Sequence, residues 1–82
     1  MNTIKQVEIK YIRPSRTIEK IEISNDISKS LCFVYNYNGY HFRLFESEMA
    51  LNSFLKIGSE PKFTFSSEEE LDDFLLHHFE NI

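Results

Sequence analysis

Leu31-Cys32-Phe33-Val34-Tyr35-Asn36-Tyr37-Asn38-Gly39-Tyr40-His41-Phe42-Arg43-Leu44-Phe45 is the stretch on which the fold turns. Asn38-Gly39 stands between two strand-like runs. Asn-Gly favours the type I′ two-residue turn, because both central residues need φ > 0. That turn predicts an antiparallel hairpin with Tyr37 opposite Tyr40, Tyr35 opposite Phe42 and Phe33 opposite Leu44. Those six side chains share one face and are large and apolar. The other face carries Cys32, Val34, Asn36, His41, Arg43 and Phe45. One core face and one mixed face are therefore expected, as in a half-covered antiparallel sheet.

Towards the N-terminus, Ser24-Asn25-Asp26-Ile27-Ser28 reads as a loop by composition. Before it lies a second hairpin. Val7-Glu8-Ile9-Lys10-Tyr11 and Ile21-Glu22-Ile23 alternate apolar and polar residues, the period of a half-buried strand. Arg13-Pro14-Ser15-Arg16 between them suits a turn, since Pro14 cannot donate to a ladder. Ile4 and Ile18 are out of phase with the later isoleucines of their arms, which predicts a bulge or a frayed strand start.

Towards the C-terminus, Ser47 is an expected N-cap with Glu48 in the first turn. Ala50, Leu51, Phe54 and Leu55 then form a helical stripe, and Gly58 stands where a left-handed C-terminal cap belongs. Glu60-Pro61 breaks the chain, and Lys62-Phe63-Thr64-Phe65 is a candidate short strand. Ser66 with Glu69, or Ser67 with Glu70, opens a last helix through a capping box. Leu71, Phe74, Leu75, His78, Phe79 and Ile82 form its apolar stripe. The order predicts one α+β domain over residues 1–82, with an antiparallel sheet of about four strands in two hairpins followed by two helices.

Composition narrows the function. The single cysteine, Cys32, excludes an intramolecular disulfide framework. The N-terminus lacks the apolar core of a signal peptide, and no apolar run approaches the ~18 residues of a membrane span. A cytoplasmic location and no membrane partner are expected. The net charge is −4, but residues 1–43 carry +3 and residues 44–82 carry −7. Halves of opposite sign suggest an electrostatically steered partner.

No catalytic or metal constellation emerges. Cys32 and His41 share a face of the predicted hairpin but stand four positions apart, about 13 Å, too far for a dyad or a shared ion. His77 and His78 diverge by about 100° on a helix and cannot chelate one ion from one face. Neither glycine belongs to a phosphate-cradling loop. No enzyme, cofactor or metal site is expected.

The charged clusters remain. Glu68-Glu69-Glu70-Leu71-Asp72-Asp73 places five acids in one and a half turns, with no Lys or Arg from residue 66 onward. Acids in a first turn favour the helix N-terminus, which explains Glu68 to Glu70. Asp72 and Asp73 lie beyond that explanation, because Asp is a poor helix former. Lys10, Arg13, Arg16 and Lys20 gather around the first turn and could touch phosphates, though Glu8, Glu19 and Glu22 are interleaved with them. Tyr35, Tyr37, Tyr40 and Phe42 could serve as a stacking platform, but their shared face with Phe33 and Leu44 favours a core role.

Val34-Tyr35-Asn36-Tyr37-Asn38-Gly39-Tyr40-His41-Phe42-Arg43-Leu44-Phe45-Glu46-Ser47-Glu48, a short helix ending near Gly58, and then Glu68-Glu69-Glu70-Leu71-Asp72-Asp73-Phe74 together resemble the small phage-encoded type II-A anti-CRISPR proteins. The resemblance lies in order and composition over roughly the last 50 residues, a likeness of scaffold rather than of a specific motif. The chain differs at its start, where a basic strand hairpin replaces the helix with which some members begin. The resemblance implies a compact acidic α/β domain. Some members occupy the site on Cas9 that reads the short DNA motif beside the target, with carboxylates in place of phosphates.

Together these readings predict a small acidic inhibitor or adaptor that binds a basic protein surface, such as that of a Cas nuclease, by DNA mimicry. Its partner-binding residues would be Glu46, Glu48, Glu68, Glu69, Asp72 and Asp73, acting in the host cytoplasm if phage-encoded. The alternatives are a nucleic-acid binder using Lys10, Arg13, Arg16 and Lys20, and a homo-oligomeric module. The latter would pair through a strand edge or through the face bearing Val34, Phe45 and Cys32.

Overall fold

The computed structural model describes residues 2–13 and 15–77, with Arg13 described by its backbone. Five strands form a meander in the order β1-β2-β3-β4-β5, every neighbouring pair antiparallel. They are β1 (Thr3–Arg13), β2 (Arg16–Ser24), β3 (Lys29–Tyr37), β4 (His41–Phe45) and β5 (Phe63–Phe65). Helix α1 (Glu48–Ile57) lies between β4 and β5, and α2 (Glu68–His77) closes the described chain. The α+β class stands, and the candidate strand after Pro61 is the fifth strand of the sheet. Pro14, His78, Phe79 and Ile82 lie outside the described residues.

The central hairpin departs from the expected register by one residue. Tyr37 pairs with His41, Asn36 with Phe42, Tyr35 with Arg43, Val34 with Leu44 and Phe33 with Phe45. The loop is therefore Asn38-Gly39-Tyr40, with φ of 59° at Asn38 and 76° at Gly39. Asn36 holds it in this form. Its Oδ1 accepts from Gly39 N at 3.2 Å, and its Nδ2 donates to the His41 carbonyl at 3.3 Å.

A one-residue slip moves one arm's side chains to the opposite face relative to the other arm. Phe42 and Leu44 now share a face with Cys32 and Val34, while Phe33, Tyr35 and Tyr37 share the other with His41, Arg43 and Phe45. The expectation of a single apolar face is thereby corrected: both faces of the sheet are apolar, and each carries a helix. Leu71 and Leu75 of α2 pack on Ile21, Ile23, Cys32, Val34, Phe42 and Leu44. Leu51 and Phe54 of α1 pack on Tyr35, Phe45, Ile18 and Phe33. The result is a helix–sheet–helix sandwich, which suits two amphipathic helices that each need a sheet face to bury their stripe.

This arrangement also explains the phase of the isoleucines. Ile18 is not in a bulge; it points to the α1 side, whereas Ile21 and Ile23 point to the α2 side. In β1 the expected bulge is present, with a register shift between Gln6 and Glu8 that leaves Val7 unpaired. It lets Ile4 and Ile9 face the same side despite their odd spacing.

The helix ends form as their sequences direct. Ser47 Oγ accepts from Ala50 N at 3.1 Å, and Gly58, at φ 76°, donates its N–H to the Phe54 carbonyl at 2.9 Å. Ser67 Oγ accepts from Glu70 N at 3.2 Å. Glu70 reaches back to Ser66, where both N and Oγ donate to its Oε1 at 3.1 Å. At its far end α2 is tied to the chain start, as Asn2 donates through Nδ2 to the Leu75 carbonyl and through N to the Leu76 carbonyl.

Candidate acidic interaction surface

Leu71 and Leu75 fix the orientation of α2 by burying against the sheet, at 4% and 0% exposure. Glu68, Glu69, Asp72 and Asp73 consequently project to solvent, and all four are exposed. Glu68 and Asp72 stand four residues apart, one above the other on the helix. Asp73 makes an ion pair with the protonated form of His77, Oδ1 to Nε2 at 3.9 Å.

Glu19 joins this surface from the other end of the chain. It lies in β2 on the same sheet face as Ile21 and Ile23, beneath α2. Its carboxyl pKa is raised above the ordinary value, first by partial burial and then by the charges of Glu68 and Asp72. Three carboxylates from two elements thus repel one another, a cost the fold sustains instead of relieving. Glu19 was absent from the expected partner-binding set, although its sequence signal was available. In Glu19-Lys20-Ile21-Glu22-Ile23 it holds a core-facing position by parity, where an acid is anomalous.

Glu48 does not belong to the same surface. Glu48 opens α1, which covers the opposite face, and Glu46 lies in the connection leading to it. Glu46 acts on Cys32 of the α2-side core, whose thiol pKa is pushed up to about 12, chiefly by burial and secondarily by that carboxylate. The sheet therefore separates Glu48 from Glu68, Glu69, Asp72 and Asp73.

The basic cluster expected at the first turn is also divided. Lys10 and Lys20 line a depression of about 160 Å³ together with Glu8 and Glu48, so their charges are interleaved with acids. Arg16 turns to the hairpin end, where its guanidinium lies 4.8 Å from the Tyr37 ring centre. The Arg13 side chain lies outside the described residues. Of the tyrosines and Phe42 read as a possible stacking set, Tyr35 and Phe42 are buried in separate clusters.

Two further expectations are revised by the new register. Cys32 and His41 lie on opposite faces of the sheet, so the dyad is excluded by geometry. Val34, Phe45 and Cys32 are buried at 0%, 2% and 0% exposure, and cannot pair between copies as a free face. β1 remains as an edge strand of the sheet. Among the described residues no group of three or more His, Cys, Asp or Glu is placed to hold a metal ion, and no helix is long and apolar enough to cross a membrane.

Comparisons with protein-family models, with curated proteins and with solved structures give no significant match.

Proposed function

We propose that this chain is a binding protein that docks its acidic α2 surface on a basic protein surface which otherwise holds nucleic acid. The observation that supports this reading most is the Glu19–Glu68–Asp72 cluster. Helix capping accounts for acids in the first turn of α2, but not for an acid on a neighbouring strand that crowds them. A surface retaining like charges at a cost in stability is suited to a cationic partner, whose arginines and lysines would relieve the repulsion on docking. Carboxylates would pair with guanidinium groups in bidentate fashion and displace phosphates by competition.

The resemblance to type II-A anti-CRISPR proteins makes a Cas9–guide RNA complex the first partner to test. The chain should compete with target DNA for that complex, and competition should weaken as salt rises. Glu68→Lys/Asp72→Lys should abolish competition while the circular dichroism spectrum is retained. Undiminished competition by that variant would refute the acidic surface as the docking site. Failure of the wild-type chain to compete would refute the choice of partner.

A further inference from the structure

Helix α1 is ten residues long, about 15 Å, and does not cover its whole face of the sheet. Its last turn places Phe54 over Tyr35, with ring centres 5.1 Å apart, and under the Arg43 guanidinium, also at 5.1 Å. Beyond Phe54 the sheet continues for one more row towards the hairpin loop. In that row Arg16, Tyr37 and His41 are cross-strand neighbours. The uncovered end forms an open cleft of about 470 Å³ together with Tyr40 and Arg43.

The chemistry of this cleft differs from that of the surrounding molecule. In a chain of net charge −4, its lining holds two arginines and no carboxylate. Arg43 is oriented from outside by Glu60, which accepts from its Nε at 3.0 Å and so uses one of the five N–H donors of the guanidinium. Arg16 is stacked on Tyr37, which presents a flat cationic plane. Tyr40 is 55% exposed, with its ring edge-on to His41 at 6.5 Å between centres. Oriented guanidinium groups beside exposed aromatic rings recognise a ligand that carries both an anion and a flat ring.

We propose that this cleft binds a nucleotide unit of a single-stranded nucleic acid, with the base stacked on Tyr40 or on the Arg16–Tyr37 pair and the phosphate held by Arg16 and Arg43. The volume falls in the range of small-ligand clefts, about 300–1,000 Å³. A single strand is favoured over a duplex because its bases are free to stack on side chains. The inference is independent of the acidic surface: α2 packs on the opposite face of the sheet, so the phosphates would not meet Glu68 and Asp72. It also replaces the Lys10 and Lys20 hairpin as the seat of nucleic-acid contact.

The test is fluorescence anisotropy of a short labelled oligothymidylate at low salt, beside its abasic analogue and its duplex form. Wild-type protein should bind the single strand most tightly, and Tyr40→Ala and Arg16→Gln should each weaken binding about tenfold. Lys10→Gln/Lys20→Gln should stay within about twofold of wild type, since those residues lie outside the cleft. Tyr40 is exposed, so its truncation leaves the core intact, and the thermal midpoint verifies this. On wild-type protein, the Tyr40 and His41 ring resonances should shift on addition of the strand. Equal affinity for the abasic strand, preference for duplex, loss of binding in the lysine variant equal to that in Arg16→Gln, or tighter binding of a phosphotyrosine peptide would each overturn the assignment.

Discussion

Removing the charge of Glu19 should stabilise the protein, and the gain should depend on pH in a defined way. Glu19 sits half-buried beneath α2 with Glu68 and Asp72 as like-charged neighbours, and its carboxyl pKa is raised above the ordinary value of 4.5. Between that value and the raised native one, the native state holds more proton than the unfolded chain. Stability therefore falls as pH rises through this window and stays at the lower level above it. Solvent screens a half-buried carboxylate, so each like-charge contact is weighed on the scale of partly exposed pairs, about 0.5 kcal/mol. Two such contacts give about 1 kcal/mol, or roughly 4–8 °C in the thermal midpoint of a domain this small. Thermal unfolding of Glu19→Gln followed by circular dichroism should show this gain at neutral pH, and high salt should shrink it. Well below pH 4.5 the gain should vanish, because the wild-type carboxyl is then neutral in both states. The same substitution in an Asp72→Asn background should gain less, since part of the repulsion is already gone. An unchanged or lowered midpoint at neutral pH would refute the clustering of these three acids.

Other expectations follow from the two cores and the hairpin loop. Leu75→Ala removes a fully buried side chain between α2 and the sheet and should cost about 3–5 kcal/mol in urea unfolding; a loss under about 1 kcal/mol would contradict the packing of α2. With its pKa pushed up to about 12, Cys32 should resist thiol reagents in the native state at mildly alkaline pH and react readily in urea. Native labelling at the unfolded rate would place the thiol at the surface. Gly39→Ala meets no atom within 4 Å, so its cost should come from φ of 76° alone, about 1–2 kcal/mol in the same urea assay. A neutral result would argue against the left-handed loop.

Much of the fold was legible in local chemistry. Ser47 and Gly58 bounded α1, Ser67 and Glu70 began α2, and the alternation in β1 and β2 gave two strands. The register of the central hairpin was not legible, because Asn38-Gly39 fits a two-residue turn and also a loop extended by Tyr40. The amide of Asn36 braces the longer loop through its hydrogen bonds to Gly39 and His41. The register of this loop sets which side chains share a face, and so sets that the sheet is covered twice. A hint was present in the unbroken apolar run Leu31-Cys32-Phe33-Val34-Tyr35, since strands buried on both faces lose their alternation. The candidate site was half legible. The charges of α2 were visible as a run, whereas the separation of Glu48 from them and the approach of Glu19 depend on which helix covers which face.

The carboxylates of Glu19, Glu68 and Asp72 are proposed to form one docking surface for a cationic partner. The most direct measurement is the salt dependence of competition with target DNA for a Cas9–guide RNA complex, compared between wild-type protein and Glu68→Gln/Asp72→Gln. These neutral substitutions remove two charges at exposed positions, and the circular dichroism spectrum checks that the fold is retained. Wild-type affinity should fall steeply with salt, and the variant should bind at least tenfold more weakly with a shallower slope, in line with about 1–2 kcal/mol for each lost charge pair. Equal affinity and equal slope for the two proteins would contradict the account.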